Sequence, residues 1–260
     1  MRTAITSSVA AGILLLATPL AAQEERLAQI NFVKGDNGGA LSVAEGLYGR
    51  SSIMETAILD VDDDGNAEIA VKFTESCKGE VCAMSVLKFN EAEWKPVIED
   101  IASSLSLSNT TLDGYKTVYS GSDSKWEWTG SRYFPKPIVD IWSYDLASEN
   151  VTDIELRSSA LSGLTEASKV TLPDFSTGKL SIISSQSQFD CFQVSICPAV
   201  VMLDDKSLGR LSSQGGTLGV SEDALFTIDK DGYSKYATSG QSLKRIDIKR
   251  AGTRITGYQK

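Results

Sequence analysis

The chain contains no histidine. That absence removes the Ser-His-Asp and Cys-His arrangements of nucleophilic catalysis and takes away a preferred zinc ligand. Cysteine is scarce, with four in 260 residues. Positive charge is in deficit: 25 Lys and Arg stand against 34 Asp and Glu, a formal net charge of −9. Such a surface matches nucleic acid poorly, because phosphate neutralisation needs basic groups. It suits solubility and cation binding. Long apolar runs are missing beyond the first 22 residues, and none approaches the roughly 20 residues a membrane helix needs. What remains is ordinary for a globular protein: 42% hydrophobic and 23% charged residues, too apolar for a disordered chain. The length allows one large β domain or two small ones.

Residues 1–22 read as a secretory signal peptide. Arg2 supplies the positive start, Val9 to Ala17 an apolar stretch too short to span a bilayer, and Pro19-Leu20-Ala21-Ala22 the small-residue end. No cysteine lies near the expected cleavage after Ala22, so no lipid anchor is expected. Losing Arg2 leaves a chain of net charge −10, placed in the periplasm or secreted. All four cysteines lie in this exported part, where oxidation makes disulfides the default. Four cysteines allow three pairings. The short spacings favour two local bridges, Cys77–Cys82 and Cys191–Cys197. Zinc is the weaker reading, since the chain has no histidine to join them.

Gln23 to Asn37 reads as a helical turn from Glu24 followed by a strand, and Asn37-Gly38-Gly39 as a turn. Ile53 to Leu59 is extended. Ile69, Val71 and Phe73 alternate with Glu68, Ala70 and Lys72, the period of a half-buried strand. Cys82 to Phe89 returns antiparallel, and a bridge across this hairpin closes about six residues, contributing only about 2 kcal/mol by chain entropy. Its larger role is fixing register, since a one-residue slip would turn the apolar face outward. Trp94 to Leu107 fits either a helix, with Val97, Ile98, Ile101 and Leu105 as its stripe and Pro96 in the first turn, or a strand and a turn. Tyr115 to Tyr119 is a strand. Trp126 and Trp128 share one strand face with Glu127 opposite, and Pro135 and Pro137 break the pattern.

The densest signal is Asp60-Val61-Asp62-Asp63-Asp64-Gly65-Asn66-Ala67-Glu68. Carboxylates at alternate positions of a tight turn, Asp60, Asp62 and Asp64, can point inward together. Gly65 permits the bend. The Asn66 carbonyl and the Glu68 side chain would complete an oxygen shell, with Asp63 left facing solvent. Six to eight oxygens at short range suit Ca²⁺, and oxygen-only ligands favour it over transition metals. Set between two strands, Asp60-x-Asp62-x-Asp64-Gly65-x-x-Glu68 resembles the calcium loop of integrin-type FG-GAP and VCBS repeats, over residues 54–88 at most. The resemblance implies a structural ion in a loop joining two strands of a propeller blade. The loop differs from an EF-hand, whose twelfth position is a bidentate Glu; here it is Val71.

The chain also repeats itself. Leu47 precedes Asp60 by 13 residues, and Leu161 precedes Asp174 by 13. Cys191 and Cys197 follow Cys77 and Cys82 by 114 and 115 residues. Ser234 to Gly240 aligns with Ser124 to Gly130 at an offset of 110. A period near 113 predicts an internal duplication with halves over 23–136 and 137–260. In the second copy Ser176 stands where Asp62 stood, so that loop is expected to hold no ion.

The expected fold is therefore all-β, antiparallel and internally duplicated, propeller-like or sandwich-like, with pseudo-twofold character. The expected function is that of a non-catalytic binding or structural module, meeting an unknown protein or envelope component. The basic C-terminal segment, with Lys244, Arg245, Lys249, Arg250, Arg254 and Lys260 against Asp247 alone, is one surface for an anionic partner, or a last strand with a solvated face and a tail. A carboxylate-based glycan hydrolase centred on Trp126-Glu127-Trp128 is the alternative enzyme reading. An inhibitor or immunity-type partner of a hydrolase is the third.

Overall fold

The computed structural model describes residues 24–49, 53–142, 148–151, 167–172, 178–185, 196–204, 206–214, 218–239 and 242–252. The expected leader, the second-half loop at 174–177 and Cys191 lie outside these residues, as does the side chain of Cys197. The described chain is nearly all strand, with one short helix.

Strand β1 (Leu27–Gln29) and helix α1 (Ala40–Tyr48) come first. Strands β2 (Met54–Leu59), β3 (Glu68–Lys78), β4 (Val81–Asn90) and β5 (Glu93–Ala102) make a four-stranded antiparallel meander. A second meander follows, β6 (Leu105–Leu112), β7 (Tyr115–Ser120), β8 (Ser124–Trp128) and β9 (Tyr133–Pro137), and β1 adds to it by pairing with β6. Next come β10 (Ile141–Trp142), β11 (Ser148–Asn150), β12 (Ala167–Leu172), β13 (Leu180–Ser185), β14 (Ile196–Leu203) and β15 (Lys206–Gln214). The last strands are β16 (Leu218–Val220), β17 (Ala224–Ile228), β18 (Gly232–Ser239) and β19 (Ser242–Arg250). Strands β11 to β15 form the third sheet; β16 to β19 form the fourth, with β10 paired to β16. Twice, then, a short leading strand skips one meander and joins the first strand of the next.

Burial follows from packing the first two sheets face to face. Ala70, Met84, Val86 and Ile98 of the first sheet meet Leu105, Val118, Trp126 and Tyr133 of the second in one apolar cluster. The other face of the first sheet is covered by α1, whose Ala40, Ala44 and Tyr48 recur every fourth residue and pack on Ile69, Val71 and Phe73. The third and fourth sheets share a similar cluster, with Leu180, Ile182, Val201 and Leu211 against Leu218, Val220 and Leu225.

Several expectations change here. The half-buried strand at Glu68 to Phe73 is buried on both faces, Glu68 and Ala70 included, because α1 covers one side and the second sheet the other. That helix was not expected; it begins after Gly39, at φ 85°, and ends at Gly49, at φ 92°, whose N–H donates to the Glu45 carbonyl. Of the two readings of the segment from Trp94, the strand and turn is the one that forms, as β5, a turn and β6. Strand β5 is a sheet edge, and Pro96 sits opposite Leu87 at a register shift, where a missing N–H is tolerated. Pro135 and Pro137 likewise lie within the edge strand β9. No helical turn forms at Glu24.

Candidate metal site and adjoining surfaces

The acidic loop joins β2 to β3 and is docked onto the second sheet. Val61 is fully buried in the apolar cluster. Its carbonyl accepts the Lys116 N–H at 2.6 Å, and its own N–H donates to Glu68 Oε2 at 2.8 Å. Lys116 Nζ donates to the Asp60 carbonyl at 2.9 Å and pairs with Asp63. The turn uses left-handed backbone at Asp63 (φ 53°) and Gly65 (φ 79°); the glycine meets that need without a Cβ penalty.

Of the five predicted ligands, three converge. One carboxylate oxygen from each of Asp60, Asp62 and Glu68 lies within 4.8 Å of the others. Asp60 Oδ1 and Asp62 Oδ1 are buried with no hydrogen-bond partner in the protein, and the Asp62 side chain is only 10% exposed. Buried carboxylate oxygens without a donor are costly, so this pair fits a hard cation well. Asp64 and Asn66 stay outside the cluster. Asp64 is exposed, and its Oδ1 accepts the Asn66 N–H at 2.7 Å, which holds its carboxyl below the usual range. Asp63 is exposed but ion-paired, so it does not face solvent alone.

Two lysines were not anticipated as part of this site, Lys116 and Lys88. Lys88 of β4 pairs with Asp62, reaches Glu68 Oε1 at 3.0 Å and lies 3.9 Å from Asp64 Oδ2. Burial opposes its charge, but hydrogen bonds to Asp62 and Glu68 outweigh that and raise its pKa. Burial also pushes the Glu68 carboxyl up, and the Val61 N–H and Lys88 offset only part of the rise. Beside the loop stands an aromatic group: Tyr115 stacks on Trp128 at 3.9 Å, and Tyr133 meets both edge-on. The Lys88 ammonium lies 5.9 Å from the Tyr115 ring.

The hairpin behind the loop carries the expected Cys77–Cys82 disulfide.

Trp126 and Trp128 do share a face, and Glu127 points the other way, into a surface pocket of about 370 Å³ shared with Tyr119, Ile138 and Val139. Lys125 and Lys136 each hold one Glu127 oxygen at 2.6 Å. Burial raises this carboxyl, but the two ammonium groups reverse the effect and leave it below its ordinary value. Held ionised, Glu127 is suited to charge pairing and not to proton donation. It is the one carboxylate among the residues lining this pocket, whereas glycoside hydrolysis uses two.

The basic C-terminal strand is partly structural. Lys249 is 7% exposed; it pairs with buried Asp100 and donates to the Ile101 carbonyl at 2.8 Å. Asp100 also accepts from Ser120 Oγ, Trp126 Nε1 and the Ile101 N–H. Arg250 pairs with Asp229 at 2.7 Å. Lys244 and Arg245 are exposed, while Arg254 and Lys260 lie outside the described residues. Among the described residues no helix is long and apolar enough to cross a membrane.

No protein-family model, curated protein or solved structure matches this chain.

Proposed function

We propose that this is an exported, non-catalytic β scaffold that holds one structural Ca²⁺ at the Asp60–Glu68 loop and meets a protein or envelope component through its surface. The carrying observation is the convergence of Asp60, Asp62 and Glu68 with two buried, unpartnered oxygens among them. The oxygen-only donor set favours Ca²⁺ over transition metals. Asp60 and Asp62 are the innermost ligands, Glu68 closes the loop through Val61, and Asp64 and the Asn66 carbonyl join on modest movement of the exposed turn. The loop's place between β2 and β3 supports its likeness to FG-GAP and VCBS calcium loops.

Two related halves are part of the same proposal. Met54 and Ala167 begin corresponding strands 113 residues apart, as do Glu93 and Lys206, and Leu105 and Leu218. The shared skip pairing, β1 with β6 and β10 with β16, supports this reading. Export rests on residues 1–22 and is supported by the Cys77–Cys82 disulfide, a bond of oxidising compartments. Four successive antiparallel sheets support a propeller-like arrangement.

Equilibrium dialysis with Ca²⁺ tests the ion directly. The expected result is one site per chain, abolished in Asp62→Ala and unchanged in Ser176→Ala. A wild-type protein that retains no Ca²⁺ would end the proposal.

A further inference from the structure

We propose that Lys88 is the loop's resident cation, and that a divalent ion enters by displacing it. The inference rests on the calcium reading above and concerns how that site is regulated. The Lys88 ammonium pairs with Asp62, lies 3.0 Å from Glu68 Oε1 and 3.9 Å from Asp64 Oδ2. These are three of the five groups the ion would use. An ammonium and a divalent cation among the same carboxylates repel each other at short range. They are therefore alternative occupants. Glu68 shows the conflict most plainly: Oε2 holds the Val61 N–H, and Oε1 is committed to Lys88. An ion held at Oε1 would sit beside the Lys88 ammonium, and their repulsion favours release of Lys88.

Lys88 is placed to move. Its side chain is 18% exposed, near the surface end of a flexible four-carbon stem. Lys116 is different. It holds the Asp60 carbonyl and Asp63, and neither group is in the converging set. It is a strut for the loop. The two lysines thus predict opposite effects on ion affinity. Competition by Lys88 raises the apparent Kd, so the site fills at a higher Ca²⁺ concentration than the same carboxylates would without it. Displacement would take the ammonium away from Tyr115, which stacks on Trp128, giving an optical signal.

Isothermal titration of the full exported chain with CaCl₂ tests this. Lys88→Met is expected to tighten binding at least about tenfold, while Lys116→Met weakens it. Binding by Lys88→Met that equals or falls below wild type would overturn displacement and leave the calcium site standing. Failure of wild type and Lys88→Met alike would overturn both. Binding by Lys88→Met alone would show that the ion does not displace Lys88 and would overturn the inference, whereas a variant that folds only with Ca²⁺ present supports it. Should Lys88→Met not fold under either condition, Lys88→Gln is read by the same criteria.

Discussion

At the scale of single residues, charge compensation decides most of what matters. Asp100 is 5% exposed and gathers four donors, one of them the Lys249 ammonium from the far end of the chain. Removing one partner of a buried pair strands the other charge, so Lys249→Met is expected to cost about 3–5 kcal/mol. Urea unfolding measures it; a loss below about 1 kcal/mol would mean that Asp100 is compensated without Lys249. Glu127 gives a pH prediction. Its folded pKa is depressed, so its contribution to stability is present above the unfolded glutamate value and is lost as pH falls through the folded one. Glu127→Gln should therefore flatten the acid limb of a stability–pH curve, and an unaltered limb would contradict the pairing. The clustering of Asp60 and Asp62 was legible from sequence because alternation in a tight turn is a local pattern, although Asp64 fits that pattern and stays outside the cluster. Lys88 was not. Counted back from the Cys77–Cys82 bridge, Glu68 would face Glu91. The register shift between Phe73 and Lys78 restores the pairing Ile69 with Leu87, and one step further sets Glu68 beside Lys88. A bulge leaves no simple trace in the sequence.

At the scale of elements, strands with strict alternation were readable and those under tertiary constraint were not. Strand β5 carries a helix-like stripe and a proline, yet its pairing with β4 overrides local preference. Helix α1 was passed over, although Ala40, Ala44 and Tyr48 lie four residues apart and that stripe could have revealed it. One close approach between elements gives a sharp test. A Cβ on Gly232 of β18 would lie 2.0 Å from the Lys249 carbonyl oxygen of β19. Backbone must move to admit it, so Gly232→Ala is expected to destabilise by at least about 2 kcal/mol. A thermal melt indistinguishable from wild type would show that the two strands are not so close.

At the scale of the whole molecule, contacts run between the first two sheets and the fourth. Lys249 reaches Asp100, Lys235 pairs with Asp123 at 2.7 Å, and Arg132 donates to the Lys230 carbonyl at 3.2 Å. Strand β9 also lies beside β18. Each of these groups of strands leaves charges that the other compensates. Scanning calorimetry is therefore expected to show one cooperative transition for the intact chain; two separable transitions would mean that these sheets fold independently of one another. The all-β class and the exposed turns were legible because period-two alternation is strong. The contact between distant sheets was not, since Asp100 and Lys249 lie 149 residues apart and nothing local marks them as partners.

The central claim is that the Asp60–Glu68 loop is completed by a divalent ion, and its most direct test is the melting temperature of the wild-type protein with EDTA and with excess CaCl₂. A ligand held only by the folded state at a hundred times its Kd stabilises by about 2.7 kcal/mol. The account predicts a clear upward shift with Ca²⁺, reversed by EDTA and absent in Asp62→Ala. Identical melting curves with chelator and with Ca²⁺ would contradict it, and would leave Lys88 and Lys116 as the loop's own counter-ions.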